Sequence, residues 1–219
     1  MTLPDRDFVL RALLRDKIHV RPETLARLPS ADSARLRSPL DLARKVLQPM
    51  ERAPLAMLDW WRLHPRGHAV IGPVDAAYAA GPQAVGRRTL DCVAWVSARD
   101  LLADDQLPAA VVNLFDHLLG SNGDPDGLWL SDGAGLNQLW QSAGARIQRQ
   151  FALGYAPEPL NHHPHDYLAW GMSAFLSHRQ QLNTTDPGLE RLLATTLFDA
   201  AFWQRANPAG DADGQAASG

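Results

Sequence analysis

The sequence predicts an α+β fold that is predominantly helical, with a small sheet followed by a helical C-terminal half. Apolar residues recur at helical spacing on both sides of a short central stretch that alternates like a strand. The 219 residues, 46% of them hydrophobic, can bury a sizeable core. We expect an N-terminal helical segment over 1–66 that packs on a core over 67–205. The stretch 206–219 lacks large apolar residues and is expected to be disordered.

The N-terminal third is predicted to consist of short helices separated by prolines. Apolar residues at helical spacing indicate a first helix over residues 5–16. Ser38 followed by Pro39 is typical of a helix start, and Pro49 should end that helix. Pro54 is then expected to open a further helix.

The middle of the chain predicts strands. Residues 68–81 and 88–100 are rich in small and β-branched side chains, and glycines such as Gly86 punctuate the connection between them. One side of the second stretch carries Leu90, Cys92, Ala94 and Val96. We therefore expect a sheet of only two or three strands, with Cys92 packed in mid-strand.

The C-terminal half reads as helices separated by polar loops. Pro108 suits the first turn of a helix whose apolar stripe ends at Gly120, and a glycine-rich loop follows to about residue 135. Further helices are predicted over 136–153 with Leu139 inward, from Pro164 to about His178, and from Asp186 to near Trp203.

Charge and composition narrow the classes of function. A formal net charge of −3 provides no basic field for nucleic acid or for an anionic membrane. No apolar run is long enough to span a bilayer, and the N-terminus is too charged for a signal peptide. A single cysteine excludes an intrachain disulfide and a thiolate-rich zinc site. These features predict a cytoplasmic protein, bacterial by its Ala/Arg/Leu-rich composition, whose oligomeric state they leave open.

A helix, a loop and two later helices after a small sheet form the order found in zinc peptidases. The chain resembles the zincin-like metallopeptidases of the anthrax lethal-factor type, whose helix reads roughly HExxHxxDxxxG. Asp116 and Gly120 match the aspartate and glycine of that pattern. The segment from Asp166 to Trp170 is similar to the later E-[FY]-F-A-E segment. The resemblance, which covers about residues 88–203, implies a zincin-like fold with a peptide cleft.

The residues that bind and activate zinc in that family differ here. Ala109, Ala110 and Asn113 stand where the pattern has histidine, glutamate and histidine, so the remnant motif helix keeps only Asp116 and His117. The resemblance therefore implies a non-catalytic pseudo-peptidase without a cofactor, acting as a binding or regulatory module for a peptide or protein. Its docking edge is expected to be the strand around Leu90–Val96, by strand addition.

The alternative is a metal-dependent hydrolase whose site has moved. In that hypothesis zinc is held by His117 together with residues that open the later helix, namely His162, His163, His165 and Asp166. In the simpler structural interpretation, His117 is a cation at the C-terminus of a helix, and the later residues form a polar loop. A third class of function, a structural protein without a ligand, also fits the sequence.

The glycine-rich loop offers further candidates. Ser131 and Asp132 could order the loop over the cleft through side-chain to backbone bonds. Tyr155 could take the place of a peptidase's oxyanion-stabilising tyrosine, or pack in the core. Asp124, Asp126 and Asp132 could indicate calcium, although they lack the spacing of an EF-hand.

Overall fold

The computed structural model describes residues 4–33, 36, 38–73, 76–155, 157–158 and 162–207. It has the predicted α+β fold dominated by helices. The helices are α1 (Arg6–Asp16), α2 (Ser30–Ser33), α3 (Pro39–Leu47), α4 (Leu55–Leu63), α5 (Ala98–Ala103), α6 (Ala109–Ser121), α7 (Gln138–Phe151), α8 (Pro164–Ser177), α9 (Arg179–Thr185), α10 (Pro187–Ala194) and α11 (Ala200–Ala206). The strands are β1 (Ile18–Val20), β2 (His68–Gly72), β3 (Ala77–Ala79), β4 (Gln83–Val85), β5 (Arg88–Leu90) and β6 (Val93–Ser97). Short 3-10 turns lie at Leu25–Arg27, Pro49–Arg52 and Leu130–Asp132.

Four strands form one mixed sheet in the order β1-β2-β6-β3. β1, β2 and β6 run parallel, whereas β3 pairs antiparallel with β6 and ends the sheet. The prediction that the strand around Leu90–Val96 is a docking edge is therefore wrong, because β6 is hydrogen-bonded to β2 on one side and to β3 on the other. The other side of β6, with Val93, Trp95 and Ser97, is not uniformly polar. A central strand that is covered on both faces does not need polar residues on alternate positions.

The N-terminal segment is less purely helical than predicted, because β1 lies within it and pairs with β2. A strand of three residues is too short to produce a period-two signal. The same segment shares one hydrophobic core with the rest of the chain, extending from Val9 to Ala206. Trp60 of α4, for example, packs on Trp203 of α11 with ring centroids 5.6 Å apart.

The sheet region has more strands than the two or three expected. β4 and β5 form a separate hairpin whose turn has Gly86 at φ +61°, a left-handed conformation that suits the first position of a type II′ turn. Cys92 is not in mid-strand as predicted, since it precedes β6 with φ +56°. Its thiol is buried and lies 3.5 Å from the carbonyl of Ala80 and 3.4 Å from that of Gly123.

The C-terminal half contains more breaks than the sequence indicates. The helix predicted from Asp186 to Trp203 is split into α10 and α11, and α9 precedes it. Leu139, expected to face inward, is 39% exposed in the first turn of α7, which begins at Gln138, two residues later than predicted, with Asn137 as its cap. Ala206, placed in the disordered tail by the sequence, is instead buried at the end of α11. Residues 208–219 lie outside the described residues.

No helix in the described ranges is both long enough and apolar enough to cross a lipid bilayer.

Candidate functional site

Helix α6, which contains the positions aligned with the peptidase pattern, is buried along almost its whole length. Its sequence is apolar on all sides, as expected for a helix enclosed by other elements. One side packs against β3 and β6, and another packs against α8. The helix ends at Ser121, and Asn122 takes a left-handed conformation as its C-cap, not Gly120 as predicted. Gly120 instead lets the loop pass close, because a Cβ there would lie 2.5 Å from the backbone nitrogen of Leu130.

The first part of α6 faces a cavity of about 310 Å³. Ala109, Ala110 and Asn113, the positions where the peptidase pattern has its metal ligands and base, all line it. The other walls come from β3, the end of β6, and α5 with the loop that follows it. The Oδ1 atom of Asn113 is buried and has no hydrogen bond among the described residues. The cavity is therefore open to a ligand along the face of α6 that lies beside the edge strand.

Asp116 has a structural environment. Its carboxylate is buried and accepts hydrogen bonds from the Ser131 backbone N–H at 2.8 Å and from the Ser131 hydroxyl at 2.6 Å. Burial raises the pKa of Asp116 to about 7, although the bonds from Ser131 act in the opposite direction. Asp132 caps the same 3-10 turn by accepting from the N–H of Trp129 at 3.4 Å. These residues order the loop on α6 through the side-chain to backbone bonds that the sequence suggests.

His117 is enclosed by aromatic rings. Its Nδ1 lies 2.7 Å from the hydroxyl of Tyr78, and its ring stacks on Trp129 with centroids 5.2 Å apart. Burial lowers the pKa of His117, which favours the neutral imidazole over a cation at the helix terminus. Its Nε2 has no hydrogen bond of ordinary geometry in the described part of the chain. The backbone of Asp124 and Gly127 acts in the opposite direction and raises the pKa of His117, but the effect of burial is larger.

Tyr78 and Trp129 are the members of this arrangement that the sequence reasoning missed. Tyr78 contacts His117 and Trp129 edge-on, and burial raises its pKa, so the phenol stays protonated and can donate to the imidazole. Both residues had a sequence signal. Tyr78 is the one aromatic residue in an alanine-rich strand, and Trp129 lies in the glycine-rich loop.

The later histidines lie on the surface side of the same aromatic cluster. The ring of His165 contacts Trp129 at 5.1 Å, and His163 stacks on His165 at the same distance. Asp166 lies 3.7 Å from Nε2 of His165, whereas His162 lies 3.4 Å from Glu158. The same indole thus contacts both His117 and His165.

These contacts do not bring the predicted zinc ligands together. Among the described ranges, no three histidine, cysteine, aspartate or glutamate side chains converge as a metal-binding group. Nor do the three loop aspartates form one, since Asp124 accepts from the N–H of Asp126 at 3.2 Å in a local turn.

Tyr155 follows Gly154, which has φ +75°. Its side chain is 55% exposed, so the prediction that it packs in the core is wrong. It is not among the residues that line the cavity.

Comparison with protein-family models, with curated proteins and with solved structures gives no match for this chain.

Proposed function

We propose that this protein is a non-catalytic, zincin-like binding module that holds an extended segment of a partner protein along β3. One observation carries the proposal. β3 is an antiparallel edge strand that lies beside the cavity on α6. An edge strand offers unpaired backbone groups, and an extended peptide can add to them as a further strand.

Among the described residues, the pairing of β3 with β6 leaves certain backbone groups of β3 without a partner. The N–H of Cys92 donates to the carbonyl of Ala80 at 3.2 Å, and Tyr78 pairs with Ala94 two residues further on. Because bonded and non-bonded pairs alternate in an antiparallel ladder, the N–H and C=O groups of Ala77 and Ala79 point away from β6. Ala77 is exposed, so a partner strand can approach this edge.

The absence of catalysis does not depend on the register of the family alignment. If the first histidine position is Ala109, the general base position is Ala110. If the pattern is shifted by one turn, with Asn113 and His117 in the two histidine positions, the base position is Leu114, which is fully buried. Neither residue can activate a metal-bound water, because both lack a carboxylate. Both registers therefore favour binding without hydrolysis.

The test is a substitution that blocks the free edge and spares the fold. Ala77→Pro removes an outward N–H and adds a ring on the open side, where proline is tolerated in a sheet. Peptides are first selected from a random nine-residue display library on the wild-type protein, and their affinity is measured by fluorescence polarisation. We expect Ala77→Pro to weaken them at least tenfold and to change the free energy of unfolding by less than about 1 kcal/mol.

Ala84→Pro is the matched control. Ala84 pairs with Thr89 in the separate hairpin, one residue away from the pair that flanks the turn, so its N–H also points outward. This variant should bind the selected peptides like the wild type. Equal binding by Ala77→Pro and Ala84→Pro, with both proteins folded, would refute strand addition at β3.

A further inference from the structure

The cavity beside β3 has an unbalanced charge. Asp100 and Asp104 line it, and none of its lining residues in the described part of the chain carries a cationic side chain. Lys45 lies close to this region but binds the neighbouring Asp105 at 2.5 Å. The cavity is therefore negative as well as open.

In the described part of the chain, no cationic side chain of the cavity lining neutralises these two carboxylates. Asp100 lies in the first turn of α5, where its backbone N–H donates to the hydroxyl of Ser97 at 3.3 Å. Asp104 is the C-cap of α5, and one of its oxygens accepts from the backbone N–H of Gln106 at 3.1 Å. Both side chains are exposed and keep lone pairs for a ligand.

A competing field comes from the start of α6. Pro108 caps this helix without a side-chain bond, so the positive end of the helix dipole also faces the cavity. A helix terminus is equivalent to about half a unit of charge, however, whereas the two carboxylates supply two negative charges. The net field in the cavity favours a cation.

The size and the lining of the cavity suit one long side chain. Its volume of about 310 Å³ is at the lower end for a small-molecule site. Leu101 and Leu107 contribute apolar walls on which methylene groups can pack, while Asp100 and Asp104 are available to the charged end. Lysine and arginine combine an apolar stem with a cationic tip in this way.

We propose that the cavity receives a lysine or arginine side chain from the extended peptide that adds to β3. This inference rests on the proposed function and specifies its partner as a segment with a basic residue at one fixed position. Side chains of an added strand alternate between its two faces, so one position of the peptide is directed at the cavity.

The experiment uses the peptides selected on the wild-type protein and measures the cost of replacing each basic residue with glutamine. We expect one position at which the replacement weakens binding about fivefold, in line with a solvent-accessible ion pair. The double variant Asp100→Asn/Asp104→Asn should bind the basic and the glutamine peptides equally. The Asp104→Asn substitution keeps a side-chain oxygen that can accept from the backbone N–H of Gln106. Raising the salt from about 0.1 M to about 1 M should also reduce the preference in the wild type.

The control is Asp124→Asn/Asp126→Asn, which removes the same charge from an exposed loop outside the cavity. It should keep the preference. Peptides that bind in an Ala77-dependent manner but show no basic preference would overturn the charge inference and leave strand addition standing. If no selected peptide depends on the β3 edge, the proposed function fails, and the inference fails with it.

Discussion

The two ends of helix α6 have opposite surroundings. At the N-terminal end, Ala109, Ala110 and Asn113 face an open cavity. One turn later, Asp116 is fixed by Ser131, and His117 is packed between Tyr78 and Trp129. The same helix thus lines a cavity at its N-terminal end and is closely packed one turn later.

This contrast separates residues that can bind a partner from residues that hold the fold. The closed end has buried polar groups with specific hydrogen bonds, which are costly to disturb. The open end has two alanines and Asn113, whose Oδ1 has no hydrogen-bond partner within the described ranges. The predictions that follow test the difference, first in the sheet behind α6 and then at each end of the helix.

The largest loss of stability is expected in the sheet, where β6 packs against α6. Ala94 lies in β6 and pairs with Ala69 on one side and with Tyr78 on the other. Ala94→Pro should cost at least about 3 kcal/mol, because proline in a central strand removes a ladder bond and clashes with its neighbours. Urea denaturation followed by circular dichroism measures this loss. A folded Ala94→Pro variant as stable as Ala77→Pro would contradict the sheet order.

At the closed end, Asp116 should make stability depend on pH. Its pKa is raised from 3.8 to about 7 in the folded protein. Between these values the native state holds a proton that the unfolded state has released, so stability falls as pH rises and is level above about 7. In Asp116→Asn this contribution disappears. Urea unfolding at pH 5 and pH 7 should show the wild type losing about 2 kcal/mol relative to the variant. Parallel pH profiles for the two proteins would mean that the carboxylate is ionised throughout.

Much of helix α6 and of the loop that follows it could be predicted from the sequence. The helix start near Pro108, the loop that follows it and the role of Ser131 and Asp132 are local features with recognisable residues. The aromatic cluster is different. Tyr78 and Trp129 are 51 positions apart in the chain, and local periodicity contains no information about which distant rings meet.

The sheet order shows the same limit more sharply. Alternation over residues 88–100 indicates a strand but not its neighbours, so β6 could be taken for an edge. β1 and β3 have only three residues each and give no periodic signal. Which strand forms the edge of the sheet depends on the pairing of β3 with β6. The sequence predicts strands over 68–81 and 88–100 but not this order.

The smallest effect is expected at the open end. Asn113→Ala should change the free energy of unfolding by no more than about 0.5 kcal/mol, because its Oδ1 makes no hydrogen bond to any described residue that could be lost. The zinc alternative needs a separate test, because it places the metal on His117 and on residues at the start of α8. Elemental mass spectrometry of protein purified without chelator or affinity histidines should find zinc well below one equivalent. Stoichiometric zinc that is lost in His117→Leu or in His165→Leu would restore the hydrolase hypothesis. Zinc-free protein would instead support separate roles for the two ends of α6 if Asn113→Ala leaves the free energy of unfolding unchanged while Asp116→Asn alters its dependence on pH.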